Sequence, residues 1–517
     1  MITRPLDAEA IVARCLPLVV STSGKTAQVV SPLDGKEVCQ IPLSDSKDID
    51  VAFETARAAF ASWKDTNIST RIRCIHNFHD LLLANTDTLL DIVQWENGKT
   101  RSSGMDEILD IALTCQYYTN SARKILKPKR RSGAFPVVTV VKEVFHPLGV
   151  VGVISPWNYP LTLAVSDFIP ALLAGNTVVI KPDLQTPLSA LALIDLLYKA
   201  GIPREVIQVV MGEGADVGPQ VVNKSDFVMF TGSTRVGREV AQQAAARLIP
   251  SSMELGGKNS LVIDQDIDIE KAVDFAVRGA FANSGQLCIG TERIVVHEKV
   301  YSEFLSAFSK KVSEMKLGSS IGWGFDMGTV INERQIETAE KQIKDAVAKG
   351  AVVEVGGTRR ADIGSFVFSP TVLSNVSAAA DICSTETFGP VCSIYKWSTE
   401  QDLISFVNNT DFGLSAGIVS RNIKWANQIA RKLRVGGVNI NEAFASAYAS
   451  IDAPMGGMKQ SGVGRRHGFL GLLKYTESQT IARQRWMKLG PQWNMNDEGW
   501  AKFAKVAVKI LNKRTFD

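Results

Sequence analysis

The stretch Gly285-Gln286-Leu287-Cys288-Ile289-Gly290 separates two segments of different periodicity. Residues 268–282 before it carry small and apolar side chains on one face, which predicts a helix. Residues 293–297 after it, Arg-Ile-Val-Val-His, predict a strand. A cysteine flanked by glycines at this junction is predicted to lie on an uncrowded loop, where a ligand can reach its sulfur. Cys288 is therefore a candidate nucleophile, although a free cysteine taken alone is more often a small buried hydrophobe.

Helix and strand patterns alternate on both sides of this stretch. Before it, strands are predicted at 150–154, 177–180, 206–210 and 227–230, with helices at 189–199 and 236–247. After it, helices are predicted at 300–316, 332–349, 400–409 and 422–434, with strands at 352–355, 391–395, 415–419 and 437–440. Short strands separated by helices are typical of parallel sheets with helical crossovers, so the predicted fold class is α/β. Further helices are predicted at 48–63 (capped by Ser46 or Asp48), 69–84, 86–97 and 104–126, and a strand at 136–145.

The composition is that of an ordinary globular protein. Of the 517 residues, 45% are hydrophobic and 21% are charged, and the net charge of +4 is too small for this length to indicate a nucleic-acid partner. The seven cysteines are scattered, and the close pair His76 and His79 falls on the polar side of a predicted helix. Neither a disulfide framework nor a metal site is therefore predicted. Without a signal peptide or a stretch of transmembrane length, a cytoplasmic location is expected.

Residues 495–517 predict a basic amphipathic helix at the end of the chain. Trp500, Phe503, Val506 and Ile510 share one face, and lysines occupy the others. Such a helix can lie on a membrane surface, but it more often packs on its own protein or on a subunit. Packing is the expectation, and surface binding without stable membrane insertion is the lesser alternative.

Two motifs directly follow predicted strands, where α/β sheets bind ligands. Ile154-Ser-Pro-Trp157-Asn158 offers the amide of Asn158 as a hydrogen-bond donor, although an asparagine here also suits a turn. Lys181-Pro182-Asp183-Leu184 offers a lysine that can reach a ribose hydroxyl or a phosphate, although a lysine at a strand end can also be simply solvated.

Three further motifs carry glycines or carboxylates. In Phe230-Thr-Gly232-Ser233 a strand runs into a turn and a helix N-terminus, which favours a pyrophosphate but is a weak signal by itself. Glu254 precedes Leu255-Gly-Gly at a strand end and is a candidate general base if burial raises its pKa. Glu386, which precedes Thr-Phe-Gly-Pro390, can accept hydrogen bonds from ribose hydroxyls, or can be a helix cap or a surface residue.

In this order and at these distances the motifs resemble those of the aldehyde dehydrogenase superfamily. The resemblance covers about residues 25–485, and Glu254 precedes Cys288 by 34 positions, the spacing that this family uses for its base and its nucleophile. Residues 455–462 and Tyr475-Thr-Glu477 also resemble the family. Residues 155–160, 462–468 and 472–481 are most similar to actinobacterial NADP-dependent succinate-semialdehyde dehydrogenases.

The resemblance implies an activity and a set of site residues. Cys288 would attack an aldehyde carbonyl, Asn158 and the Cys288 N–H would hold the oxyanion, and Glu254 would activate the water that hydrolyses the thioester. Members that release an acyl-CoA lack this glutamate, so the expected product is a free carboxylic acid. The implied cofactor-binding residues are Trp157, Asn158, Lys181, Pro182, Asp183, Leu184, Gly232, Ser233, Leu255 and Glu386.

The resemblance leaves the cofactor and the substrate partly open. Strictly NAD-using relatives carry a glutamate at the position of Leu184, so leucine favours NADP, with Lys181 as a partner of its phosphate and with NAD as a second possibility. Better-known succinate-semialdehyde enzymes bind the substrate carboxylate with two arginines, at positions that are Ser166 and Ala282 here. Succinate semialdehyde is therefore a family-level expectation, and broad oxidation of aliphatic or aromatic aldehydes is the alternative.

The resemblance also implies a domain organisation. It places a Rossmann-type dinucleotide-binding domain at residues 1–124 and 148–256, a catalytic domain at 257–455, and a small β oligomerisation element at 125–147 and 478–494. An exposed edge strand in that element implies a homodimer or homotetramer. A structural or binding protein on the same fold would not need Cys288, Glu254 and Asn158, so an aldehyde-oxidising enzyme is the favoured hypothesis.

Overall fold

The structure, a computed structural model, describes residues 2–135 and 138–512. Pro136 and Val137, which belong to the strand predicted at 136–145, and residues 513–517 of the predicted terminal helix lie outside the described residues. Two compact units are present, one formed by Met1–Ile125 with Pro147–Tyr475 and one formed by Leu126–His146 with Thr476–Asp517.

Most of the longer helices have one buried and one exposed face, whereas the helix Pro187–Lys199 is buried over nearly its whole length. In chain order they are α1 Ala8–Cys15, α2 Ser46–Trp63, α3 Ile68–Ala84, α4 Thr86–Asn97, α5 Arg101–Leu126, α6 Thr162–Val165, α7 Ile169–Ala174, α8 Pro187–Lys199, α9 Gly214–Lys224, α10 Thr234–Ala246, α11 Ile269–Phe281, α12 Tyr301–Ser313, α13 Glu333–Ala348, α14 Asp381–Ser384, α15 Glu400–Asn408, α16 Ile423–Ala430, α17 Ala445–Ala449, α18 Gly468–Leu473 and α19 Asp497–Asn512.

The strands are short and mostly parallel. In chain order they are β1 Thr26–Val30, β2 Glu37–Pro42, β3 Lys129–Arg131, β4 Thr139–Pro147, β5 Val150–Ile154, β6 Thr177–Lys181, β7 Ile207–Val209, β8 Phe227–Thr231, β9 Ser251–Glu254, β10 Asn259–Ile263, β11 Thr291–His297, β12 Val352–Val355, β13 Thr371–Ser374, β14 Val391–Trp397, β15 Phe412–Gly413, β16 Ser415–Val419, β17 Gly437–Ile440, β18 Met458–Lys459, β19 Gly462–Val463 and β20 Thr476–Gln484. The predicted α/β fold class is confirmed.

The first large sheet has the strand order β19-β9-β8-β5-β6-β7, and β5 to β9 run parallel. The chain places β6 and β7 on one side of β5, and then returns to place β8 and β9 on the other side. This reversal is the topological switch point at which α/β sheets open a crevice beyond the carboxyl ends of their strands. The motifs that follow β5 and β8, with Asn158 and with Gly232, therefore lie at one crevice.

The second large sheet has the order β12-β13-β14-β11-β10-β16-β17, with only β12 antiparallel. Strand β9 ends at Glu254 and leads through residues 255–258 straight into β10. The loops with Cys288 and Glu386 precede β11 and β14. The carboxyl edge of the first sheet thus meets the amino edge of the second, because the chain passes directly from one to the other.

Most predicted elements are confirmed, and the local exceptions have local causes. The cap predicted at Ser46 or Asp48 is wrong, because the Asp45 carboxylate accepts the N–H groups of Lys47 and Asp48 at the start of α2. Several elements were not predicted, among them α1, β1, β2 and α9, and α9 was missed because it begins at a glycine and contains Pro219.

The smaller unit holds a three-stranded sheet of order β20-β4-β3 and the terminal helix α19. The Trp500 ring of α19 lies 6.3 Å from the ring of Phe135, so this helix contacts its own unit at Trp500, and packing of the rest of its apolar face stays a prediction. Its remaining apolar side chains, such as Val506, are largely exposed. No helix within the described ranges has the length and apolar character needed to cross a membrane.

Candidate active site

The loop that carries Cys288 is closely packed, so the prediction of an uncrowded loop is wrong. After α11 ends, Asn283, Ser284 and Gly285 adopt left-handed backbone angles, with φ of 51°, 56° and 71°. A Cβ atom on Gly285 would lie 2.0 Å from the carbonyl oxygen of Gly389, so only glycine fits. The backbones of two loops distant in sequence pack against each other here, and the sequence around Cys288 does not reveal this contact.

Hydrogen bonds fix the backbone around Cys288, while its side chain remains partly exposed to a cavity. The Asn259 side chain donates to the carbonyl oxygens of Cys288 at 2.7 Å and Gly290 at 2.8 Å. The Ile289 backbone N–H donates to the sulfur. Burial, together with the charges of Glu386 and Glu254, raises the pKa of the Cys288 thiol to about 12. The sulfur therefore keeps its proton at neutral pH and needs a base to become nucleophilic.

Glu254 is a buried carboxyl group at the end of β9. Burial raises its pKa to about 7, while the positive charges of Arg466 and Lys474 oppose the increase. Its Oε1 atom has no hydrogen-bond partner among the residues that the structure describes. A carboxyl group with a pKa near neutrality and a free oxygen is suited to general base catalysis.

Two cavities meet at these side chains. An apolar cavity of about 260 Å³ is lined by aliphatic and aromatic groups such as Leu287 and Phe444. A polar cleft of about 430 Å³ lies at the switch point of the first sheet. Asn158, Glu254 and Cys288 line both cavities. The three predicted catalytic residues are thus brought together at the junction of the cavities.

Asn158 is fixed in place by a buried network. Its side-chain amide carries two donors and donates one to the Gln286 carbonyl at 3.1 Å, and within the described part of the chain its second N–H has no acceptor. Its backbone carbonyl accepts Lys99 Nζ at 2.8 Å, and Lys99 pairs with Glu107 at 2.5 Å. Sequence reasoning missed this buried ion pair, because nothing in the local pattern shows that the two residues reach the motif after β5.

The predicted cofactor residues divide into two groups. Six of them line the polar cleft: Trp157, Asn158, Gly232, Ser233, Leu255 and Glu386. The run Lys181, Pro182, Asp183 and Leu184 is not among the residues that line it, although the next residue, Gln185, is. The Lys181 amino group is buried and donates to the Pro182 carbonyl at 3.2 Å. The pairing of Lys181 with the phosphate of NADP therefore stays a prediction.

The polar cleft has the donors and the space that a dinucleotide requires. Helix α10 begins at the cleft, and Ser233 accepts the N–H of Val236 as its cap. The helix start provides N–H groups and the positive end of a helix dipole for a pyrophosphate. Glu386 accepts the Gly257 N–H at 2.8 Å, and a Cβ on Gly256 would lie 2.4 Å from its carboxylate. Burial raises the pKa of Glu386 to about 8.

The two positions that lack the expected arginines have other roles. Ser166 is buried and donates to Asp110 at 3.1 Å, and Ala282 forms the start of the left-handed turn. Two other cations line the apolar cavity, Arg278 and Arg466. Arg466 is buried, and its Nε lies 3.3 Å from an Asp167 carboxylate oxygen. Sequence reasoning did not identify either arginine as a site residue. Arg466 was noticed only as part of the run at 462–468, and Arg278 was not singled out.

Comparison with known proteins gives one consistent result. The sequence profile described as the aldehyde dehydrogenase family matches residues 19–481. A Mycolicibacterium smegmatis protein, provisionally named succinate-semialdehyde dehydrogenase [NADP(+)], is 45% identical over 479 residues, 93% of each chain. The rice mitochondrial succinate-semialdehyde dehydrogenase is 35% identical over 463 residues, 89% of this chain and 86% of its own.

Solved structures agree with these relatives. A succinate-semialdehyde dehydrogenase from Burkholderia pseudomallei superposes with a TM-score of 0.86 at 33% identity, covering 90% of this chain and 96% of its own. An aldehyde dehydrogenase from Bacillus cereus in its NAD+ complex superposes with a TM-score of 0.87 at 32% identity, covering 93% and 99%.

Proposed function

This chain belongs to the aldehyde dehydrogenase family, and on that premise we propose that it oxidises succinate semialdehyde to succinate with NADP, through Cys288 and Glu254. The family resemblance predicted from the motifs is confirmed. The observation that carries the proposal is the meeting of Cys288, Glu254 and Asn158 where the apolar cavity joins the polar cleft. An aldehyde in the cavity and a nicotinamide in the cleft would approach the same sulfur from two sides.

The first step forms a bond between the Cys288 sulfur and the aldehyde carbon. The thiol proton must leave as the bond forms, and Glu254 is suited to accept it because its pKa of about 7 lies near the working pH. The carbonyl oxygen becomes an oxyanion, which the free N–H of Asn158 and the backbone N–H of Cys288 stabilise. One such donor is typically worth roughly 10²–10³ in rate.

The second half of the reaction returns the enzyme to its starting state. NADP, when bound in the polar cleft, supplies the acceptor for the hydride that the substrate carbon loses. Glu254 releases the proton of the thiol to solvent and is a carboxylate again. It then takes a proton from water while the water oxygen bonds to the thioester carbon, and the bond to the Cys288 sulfur breaks. Succinate leaves as a free acid, and the sulfur regains a proton.

The residues of the polar cleft are proposed to hold NADP. The start of α10 with Gly232 and Ser233 suits the pyrophosphate, and Glu386 suits ribose hydroxyls when ionised. Strictly NAD-using relatives carry a glutamate at the position of Leu184, and the leucine here supports NADP over NAD. The names of the relatives support the same choice.

A second candidate substrate class follows from the cavity walls. Leu163, Leu287 and Phe444 give the apolar cavity an aliphatic and aromatic lining. Uncharged aliphatic or aromatic aldehydes would bury well against these walls. Broad aldehyde oxidation is therefore the alternative to succinate semialdehyde.

A panel of aldehydes with both cofactors tests the proposal. We expect the highest kcat/KM for succinate semialdehyde with NADP, and lower values for butanal and benzaldehyde. Leu184→Glu should lower kcat/KM with NADP by at least about tenfold and affect NAD less, because like charges repel. Wild-type kcat/KM at least about tenfold better with NAD would contradict the cofactor choice, and faster turnover of benzaldehyde would favour the second candidate.

We also propose that the chain forms a homodimer or homotetramer in the cytoplasm. Strand β20 is an edge of its sheet, and its seven central residues are exposed. Exposed edge strands are normally covered, and a second copy of the chain would do so. All seven cysteines are free thiols, which is typical of a reducing compartment.

A further inference from the structure

We infer that Arg278 binds the distal carboxylate of the substrate at the mouth of the apolar cavity, so that the cavity selects aldehydes that carry a carboxylate at their far end. This inference rests on the proposed oxidation of succinate semialdehyde and assigns the residue that recognises its charge. It concerns a position that none of the predicted site residues occupies.

Arg278 stands between the cavity and solvent. It lies in the last turn of α11 and lines the same apolar cavity as Cys288. It also lines a wide depression on the outer surface, and 51% of its side chain is exposed. Burial raises the pKa of Tyr159, and Asp106, Cys288 and Arg278 all lie close enough to Tyr159 to influence it. The Arg278 guanidinium therefore lies where the apolar cavity meets the outer depression, and the Cys288 sulfur lies at the inner end of the same cavity.

The Arg278 guanidinium has unused hydrogen-bond donors. An arginine carries five N–H donors, and among the described residues none accepts a hydrogen bond from this side chain. Its nearest carboxylate is Asp106, with an N–O distance of 3.8 Å. Its central carbon lies 5.5 Å from the ring centre of buried Phe444, which supports the guanidinium as a cation–π partner. The group is thus positioned by an aromatic ring while its donors remain available for an anion.

The other cation of the cavity is poorly suited to this task. Arg466 is buried, pairs with Asp167, and lies close enough to Asp110 and Glu254 for their charges to influence it. A substrate carboxylate beside Arg466 would meet the repulsion of Glu254, the proposed base. Among the described residues lining this cavity, Arg278 is the cation that combines exposure with free donors.

The walls of the cavity explain why the carboxylate should lie at its mouth. Leu287, Ile289 and Phe444 can pack against methylene groups but offer no partner for a charge. Burying an ionised carboxylate without a partner is costly, whereas an arginine at the edge of solvent provides a charge-assisted pair. The expected substrate class is therefore a short ω-oxo carboxylate, bound with its aldehyde inward and its carboxylate outward.

Asp106 should lower the affinity of Arg278 for a substrate carboxylate, and this effect can be tested. It is the one described carboxylate paired with Arg278, and it competes with the substrate for the same guanidinium. Replacing it by asparagine should remove the competitor and keep the shape. Changes at Arg278 and at Asp106 should therefore move substrate binding in opposite directions.

The test compares succinate semialdehyde with its uncharged methyl ester in four forms of the full-length enzyme. Arg278→Met should lower the ratio of kcat/KM for the acid to kcat/KM for the ester by about 10–100-fold, mainly through KM, since one charged pair is lost. Asp106→Asn should raise that ratio. Arg421→Met, which removes an exposed arginine paired with Asp266 elsewhere, should retain the wild-type ratio.

The outcomes separate the two proposals. If wild-type enzyme prefers the acid and Arg278→Met keeps the preference, the role of Arg278 is wrong and the proposed function stands. If wild-type enzyme shows no preference for the acid over its ester, both proposals fail. If Arg278→Met slows acid and ester equally, the residue supports the fold rather than the substrate, and the inference is overturned.

Discussion

At the scale of single residues, burial acts on the two proposed catalytic side chains, Cys288 and Glu254, in the same direction. It raises the pKa of the Cys288 thiol to about 12 and that of the Glu254 carboxyl to about 7. The sulfur is therefore protonated at rest, and the carboxyl group titrates near neutral pH. A proton can pass from the Cys288 thiol to Glu254 only when Glu254 is ionised. The activity of the site should therefore depend on the pH of the solution.

Glu254→Gln should stop turnover after one chemical cycle. Glutamine keeps the shape but cannot accept a proton, so we expect steady-state turnover to fall by about 10²–10⁴-fold. Reduced cofactor should form slowly to about one equivalent per active site and then cease, because the thioester is not hydrolysed. Stopped-flow absorbance measures this amplitude. The exposed-residue variant Glu205→Gln is the control, and wild-type turnover in Glu254→Gln would refute the assigned role.

The pH dependence of kcat/KM should report the ionisation of Glu254 in the free enzyme. Since the base works only in its ionised form, kcat/KM should rise with pH through an inflection near the pKa of about 7 and be lost below it. Arg466 favours the ionised form, so Arg466→Gln should move the inflection to higher pH, while Arg466→Lys should move it less. Identical pH–rate profiles for wild type and Arg466→Gln would contradict this electrostatic role.

At the scale of elements, the site depends on loops that join helices to strands. The left-handed turn after α11 reverses the chain, and the loop before β14 packs against it at Gly389. Glu292 in β11 anchors that second loop by accepting the N–H groups of Thr387 and Phe388, at 2.9 Å or slightly more. Each loop is therefore held by an element of the second sheet rather than by its own sequence.

Gly285→Ala should lower the catalytic activity more than it lowers the stability of the hydrophobic cores. The added Cβ needs an unfavourable backbone angle and meets the Gly389 carbonyl, so the Cys288 loop must shift. We expect kcat/KM to fall by more than about tenfold, because misplacement by about 1 Å can cost that much or more. Gly218→Ala, at a helical site where nothing lies within 4 Å of the added atom, should retain activity. Equal activity of the two variants would show that the turn tolerates a side chain.

At the scale of the whole molecule, two sheets share one site because the chain passes from β9 to β10 without a crossover. The first sheet offers its carboxyl edge with Asn158 and Glu254, and the second offers its amino edge with Cys288 and Glu386. In the proposed reaction, this arrangement would let the first sheet hold the cofactor while the second sheet holds the Cys288 thiol. A separate small sheet leaves its edge strand β20 exposed.

Ile481→Asp should weaken the proposed oligomer. Ile481 is 50% exposed on β20, and a charge there should oppose strand pairing between copies. Light scattering after size-exclusion chromatography should show a shift toward the monomer mass. Ile423→Asp is the matched control, since Ile423 is 49% exposed on α16. A monomeric wild type, or an unchanged mass for Ile481→Asp, would contradict the use of this edge.

The sequence by itself determined the fold class, the family and the identity of most candidate site residues. Strands such as 415–419 and 437–440 were predicted with their observed bounds, because both are short apolar runs with clear breaks around them. Motifs at strand ends made Asn158, Gly232 and Glu254 candidates, and the order and spacing of these motifs along the chain, which resemble the family, selected them. The loop around Cys288 could be located, but its packing could not.

Only the tertiary structure decided which residues surround these motifs and how strongly they are buried. Arg278, Arg466 and Lys99 come from distant parts of the chain, and no local pattern shows that they reach the cavity or its supporting network. The raised pKa values of Cys288 and Glu254 depend on burial by many elements at once. The physical reason is that chemical identity and periodicity are local properties, whereas desolvation and charge proximity exist only after the chain has folded.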